Sequence, residues 1–292
     1  MKAKKGLPGR RTYALPTIFT VGTLFCGYYC LMKTLQALSL PTDRLDEAAR
    51  LYNHAAIAIG VGMFTDGMDG RIARLTNAVS EFGREIDSLA DVITFGVAPA
   101  MLAVAWGIRT PELTGHPFFA NILPAVGYLV TFLYVTCGAA RLARFNVQKN
   151  PSPKNPGLPG RKYFVGLPIP PAAGMLAAVV HFNGGYPLVN WWPEGILWLL
   201  LIGFLSFLMV STWRYASLKD ISVFRLPSLV MVIFFATLIF LIWNFSEPVL
   251  LAMATTFVAS GVVMRITGLL RRRTLLPEEN TPQPEESPSS GL

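Results

Sequence analysis

Asp66-Gly67-Met68-Asp69-Gly70-Arg71-Ile72-Ala73-Arg74 and, eight residues on, Gly83-Arg84-Glu85-Ile86-Asp87-Ser88-Leu89-Ala90-Asp91 lie between strongly apolar segments. At the α-helical period Asp69, Gly70, Ala73 and Arg74 fall within roughly 80° of Asp66, and Gly83, Asp87 and Asp91 align on one side of a second helix. The spacing therefore predicts two helices that present four acids, several small residues and a cation to one shared space.

Working outward, composition sets the class. The chain has 292 residues, is 52% hydrophobic and 14% charged, and carries a formal charge of +8. So apolar a composition points to a polytopic membrane protein and away from a soluble domain. The basic residues sit in the connections between apolar runs, so the excess charge reads as membrane topology and anionic-lipid contact, not nucleic-acid binding. Cys26, Cys30 and Cys137 lie in apolar runs and imply neither a disulfide framework nor a metal site. His54, His116 and His181 are scattered and give no zinc or His-nucleophile pattern.

Eight apolar spans are expected, at about Leu15–Met32, Ala48–Thr65, Gly83–Ile108, Phe118–Leu142, Phe164–Phe182, Gly195–Trp213, Leu226–Trp243 and Pro248–Leu270. The first reads as an uncleaved helix, not a signal peptide. Pro99 is expected to kink the third. With the N-terminus in the cytoplasm, the positive-inside rule leaves Lys33, Arg44, Arg50 and Arg109 as the outside members of the 25 Lys and Arg. Both termini and the acidic stretch should then face the cytoplasm, in the cell membrane. Residues 1–275 are expected to form one transmembrane catalytic domain, all-α, and residues 276–292, rich in Pro, Glu and Ser, a disordered cytoplasmic tail. No internal repeat supports an inverted-repeat transporter.

Ionisable groups at membrane depth are costly and imply function. Four Asp held together as bare anions repel one another and call for cations. Oxygen-only ligands suit Mg²⁺ or Mn²⁺, with substrate phosphates completing the shell. An Asp not fully committed to metal can take a proton from an attacking hydroxyl. Gly70, Ala73 and Gly83 would let a bulky ligand approach both helices, and Arg74 could pair with a phosphate. A divalent-cation transporter with the Asp tetrad as its ion site uses the same residues; metal-dependent release of a nucleotide excludes it.

The pattern Asp66-x2-Asp69-Gly70-x2-Ala73-Arg74-x8-Gly83-x3-Asp87-x3-Asp91 resembles in full the signature of the CDP-alcohol phosphatidyltransferase family. That resemblance implies the family's membrane fold and a two-metal site of Asp66, Asp69, Asp87 and Asp91, with Asp91 also the general base. It also implies a CDP-lipid pocket lined by Gly70, Ala73, Arg74 and Gly83, and a homodimer. Membrane prenyltransferases also use paired Asp motifs and Mg²⁺, but their two clusters lie far apart in sequence. The flanks Leu24-Phe25-Cys26-Gly27, Asp87 to Ala100, Arg141-Leu142-Ala143-Arg144-Phe145-Asn146 and Gly166-Leu167-Pro168-Ile169-Pro170 resemble the bacterial and archaeal branch that joins CDP-diacylglycerol to L-serine. Serine carries a carboxylate that a neutral polyol lacks, and Arg141, Arg144 and Asn146 are the residues expected to receive it. Glycerol-3-phosphate, inositol or inositol phosphate, and choline are the other acceptors the family allows.

Overall fold

The structure is a computed structural model that describes residues 14–75, 81–108, 117–147, 163–188, 192–216 and 228–274. The expected tail at 276–292 and the Pro/Gly/Lys-rich loop around 151–162 lie outside the described residues.

Helices occupy all eight expected apolar segments. They are α1 (Ala14–Leu38), α2 (Leu45–Leu75), a third rod made of α3 (Glu81–Asp91), a π-helical turn (Val92–Val97) and α4 (Ala98–Gly107), then α5 (Pro117–Val147), α6 (Ile169–Phe182), α7 (Trp192–Val210), α8 (Ser228–Asn244) and α9 (Ser246–Thr274). Five of the eight are long and apolar enough to cross a membrane: Ile18–Leu38, Glu81–Gly107, Ile122–Val147, Pro193–Val210 and Ser246–Thr267. The α6 and α8 helices are apolar but shorter, and α2 is diluted by its alanines, its glycines and the acids of the site. Among the described residues eight helical segments are therefore present, and five are long and apolar enough to span on their own.

Two expected boundaries move. The segment read as helix from Phe164 begins as a short strand, β1 (Tyr163–Val165), which pairs antiparallel with β2 (Arg214–Ala216) after α7, with Phe164 opposite Tyr215. Gly166, at φ 75°, ends β1, and its N–H donates to the Trp213 carbonyl at 2.8 Å, so the chain turns before α6 starts. The ribbon thus stitches the α5–α6 connection to the α7–α8 connection. Nor does Pro99 kink a continuous helix: it stands in the first turn of α4, where its missing N–H is tolerated, and the irregularity lies upstream as the π-turn.

Small residues let the helices approach closely, the usual means of packing where lipid supplies no hydrophobic drive between helices. Ala48, Ala49, Ala55, Ala56 and Ala58 of α2 are buried, with Cys30 and Ala37 of α1, Ala98, Ala103 and Ala105 of α4 and Ala172, Ala173 and Ala177 of α6. The α1–α2 hairpin is the most extensive pairing, and α2, α4, α5 and the π-turn close around α6 and α7. Away from the acids, Trp106 and Trp198 pack edge to face at 5.0 Å, and their indole N–H groups donate to the carbonyls of Gly185 and Ala103. His181 bridges Asn53 of α2 and Ser246 of α9. The Tyr186 hydroxyl donates to Asp46 at 2.9 Å, and that bond holds the phenol above its ordinary pKa. Large apolar side chains point outward along α1, α5, α7 and α8, the reverse of a soluble protein. The α8 helix packs chiefly on α9 and is otherwise exposed.

Candidate active site

The helix carrying Asp66 and Asp69 continues unbroken to Leu75, and α3 carries Gly83, Asp87 and Asp91, as the spacing requires. One carboxylate oxygen from each of Asp66, Asp69 and Asp87 lies within 4.8 Å of the others. Asp69 and Asp91 are buried, while Asp66 and Asp87 are half-buried. The fourth acid stands slightly apart: Asp91 adjoins Asp66 from one turn further along α3, outside the mutual triplet.

None of the four is in a salt bridge among the described residues, where the ion pairs are Arg44–Glu47 and Arg84–Glu81. Two unit charges at 4.8 Å repel by about 3–4 kcal/mol at an effective dielectric of about 20. Three such pairs exceed what the Thr20 hydroxyl and the Gly70 backbone offset, so the cluster could hold a cation. Carboxylate oxygens alone make a hard donor set of the kind that binds divalent ions such as Mg²⁺ or Mn²⁺.

Further contacts orient the acids. Thr20 of α1 donates to Asp69 Oδ2 at 3.2 Å. The hydroxyls of Thr23 and Thr65 meet at 2.9 Å, one residue before Asp66. Asp91 Oδ1 is buried with no hydrogen-bond partner among the described residues, and the same holds for Arg141 Nε on α5. The two side chains are near enough for their charges to act on each other. A carboxylate oxygen and a guanidinium nitrogen, each without a hydrogen-bond partner among the described residues, thus lie within electrostatic range of each other.

Of the acceptor residues expected from the sequence, Arg141 is close enough to Asp91, and Arg144 to Arg141, for their charges to interact. Asn146 serves as a strap: its amide donates to Ser88 Oγ at 2.9 Å, and Ser88 in turn donates to the Arg84 carbonyl. Gly70 and Gly83 are half-buried on α2 and α3. Ala73 and Arg74 belong to α2, but their side chains lie outside the described ones. Sequence reasoning missed Thr20 and Tyr134, and gave Thr23 and Thr94 no contact of their own. Threonines at helical spacing along α1 were the one available signal, and what they touch is set by tertiary packing.

Comparison with known proteins gives the family. The family model described as CDP-alcohol phosphatidyltransferase matches residues 13–192. The chain is 34% identical over 234 residues to the CDP-diacylglycerol–serine O-phosphatidyltransferase of Helicobacter pylori, covering 80% of this chain and 84% of that protein. It is 34% identical over 207 residues to the protein of the same name from Bacillus subtilis, covering 70% and 91%. With the Saccharomyces cerevisiae protein of that name it shares 34% identity over 157 residues, 54% of this chain and 50% of the relative.

Proposed function

The chain belongs to the CDP-alcohol phosphatidyltransferase family, and from that premise we propose that it moves the phosphatidyl group of CDP-diacylglycerol onto the hydroxyl of L-serine. The observation that carries the reading is the meeting of Asp66, Asp69 and Asp87 beside a buried Asp91 oxygen that has no hydrogen-bond partner among the described residues, with the Arg141 charge within electrostatic range.

In the reaction the serine oxygen attacks the phosphorus that bears diacylglycerol. A new P–O bond forms as the bond from that phosphorus to the CMP oxygen breaks. The serine proton passes to Asp91, and CMP leaves with the electron pair of the broken bond. Asp66, Asp69, Asp87 and Asp91 would hold a pair of divalent cations, which when bound would supply neutralisation of the charge developing on the phosphoryl oxygens. Thr20 fixes the direction in which Asp69 presents its second oxygen. Arg141, with Arg144 behind it, receives the serine carboxylate and holds the hydroxyl near Asp91. Gly70, Ala73, Arg74 and Gly83 line the CDP end of the donor. The absence of a His-x-Lys nucleophile in the sequence fits a single displacement without a covalent intermediate.

Orientation comes from charge. With the basic connections inside, the carboxylates lie at the cytoplasmic surface, where water-soluble serine meets a membrane-held nucleotide lipid. The test is purified full-length protein with CDP-diacylglycerol, Mn²⁺ or Mg²⁺, and serine, glycerol-3-phosphate, inositol or choline. Serine should release CMP and yield phosphatidylserine. Product from another alcohol, with none from serine, would overturn the assignment.

A further inference from the structure

Directly after Asp91 the helix widens: the Ala98 N–H bonds the Ile93 carbonyl, five residues back, and Val92–Val97 forms a π-turn. Such a turn holds one more residue than an α-helical turn, so the helix beyond it is rotated by about 100° relative to an uninterrupted one. That rotation lets Asp87 and Asp91 face the acids of α2 while Phe95, Leu102 and Trp106, from the turn onward, enter the core. Such a widening lacks the regular bonding of an α-helix and needs outside support.

Two side chains supply it. Pro99 has no N–H to offer the Phe95 carbonyl four residues back. The Tyr134 hydroxyl of α5 donates to that carbonyl instead, at 3.0 Å, with Tyr134 and Phe95 both fully buried. On the opposite side the buried Thr94 hydroxyl donates to the Thr23 carbonyl of α1 at 2.9 Å. Gly27 brings the α1 backbone against the same turn, because a Cβ there would lie 2.6 Å from Thr94 Oγ1 and 2.8 Å from Thr94 Cα. The turn is thus gripped by α1 and α5, four residues along the chain from a carboxylate whose direction matters.

We propose that Tyr134 is a positioning residue for the transfer reaction: by satisfying the Phe95 carbonyl it holds the π-turn that aims Asp91 into the site. The inference rests on Asp91 acting as base. It assigns to Tyr134 a task at the reacting end of the molecule, although its hydroxyl touches neither substrate nor carboxylate.

Tyr134→Phe keeps the ring and removes only the donor. In the purified full-length enzyme kcat should fall about ten- to a hundredfold, the range a small misplacement of a reacting group gives. KM for CDP-diacylglycerol and Mn²⁺ binding, read by paramagnetic resonance, should stay within twofold. A merely structural role would lower the unfolding midpoint while leaving kcat per folded molecule unchanged, or would move kcat and both binding readouts together; either result overturns the proposal. The double variant Tyr134→Phe/Asp91→Asn separates this inference from the reading beneath it. If Tyr134 acts through Asp91, the double variant is no slower than Asp91→Asn alone, and a further multiplicative loss sinks the proposal. Near-normal turnover by Asp91→Asn would instead remove Asp91 as base. If Tyr134→Phe does not fold, Thr94→Val and Thr94→Ser test the same turn from α1. Val should reproduce the kcat loss and Ser retain wild-type turnover; equal behaviour of the two overturns the support argument.

Discussion

Asp91 differs from the three carboxylates beside it in standing outside their mutual contact and in having a buried oxygen that nothing described satisfies. A buried acceptor oxygen without a donor costs free energy, which a fold tolerates where the oxygen has a task. Replacing it tests that task directly. Asp91→Asn should lower turnover by about 10²–10⁴-fold, the usual contribution of a positioned proton acceptor. Binding of CDP-diacylglycerol, measured separately by equilibrium titration, should remain detectable. The sequence already marked this residue, because four acids at i,i+3 and i,i+4 spacing in an apolar chain have few structural uses. It could not mark Thr20 or Tyr134. A threonine and a tyrosine in apolar helices are ordinary lining residues until the fold shows a carboxylate 3.2 Å from one and a carbonyl 3.0 Å from the other.

Among the elements, the crossing of α1 over the π-turn leaves no room for a side chain at Gly27. Gly27→Ala would put a methyl group 2.6 Å from Thr94 Oγ1 and 2.8 Å from Thr94 Cα, and backbone cannot yield as a side-chain tip can. We expect a loss of about 1–3 kcal/mol, in the range of other overpacked sites, seen as a lower unfolding midpoint of the detergent-solubilised protein. An unchanged midpoint would mean that the close approach is dispensable. The rods themselves were legible as long apolar runs, and the acid-bearing helices from their period. The ribbon was not: Tyr163-Phe164-Val165 is apolar enough to extend α6 on paper, and its partner Arg214–Ala216 lies about fifty residues away, beyond the reach of local patterns. Pro99 was legible as a disturbance but not in its form, since its effect falls on Phe95, whose carbonyl needs a donor from another helix.

At the scale of the whole molecule, the acids tie α2 to the α3 rod only when their mutual repulsion is relieved. Chelation of divalent ions should therefore abolish CMP release and lower the unfolding midpoint by about 2–4 °C for each kcal/mol of lost stabilisation. Added Mn²⁺ or Mg²⁺ should restore both. If chelation changes neither, the cluster holds no metal. Far from this chemistry, α8 faces outward with 17 residues, a reach of about 25 Å against roughly 30 Å of hydrocarbon in a typical bilayer. A crossing by this helix alone would require thinner lipid along that flank, and the strain would pass to α9, which packs on α6 and on β2. An enzyme that helps to build the bilayer would in this way also sense it, with membrane thickness acting on the helix that packs against α9.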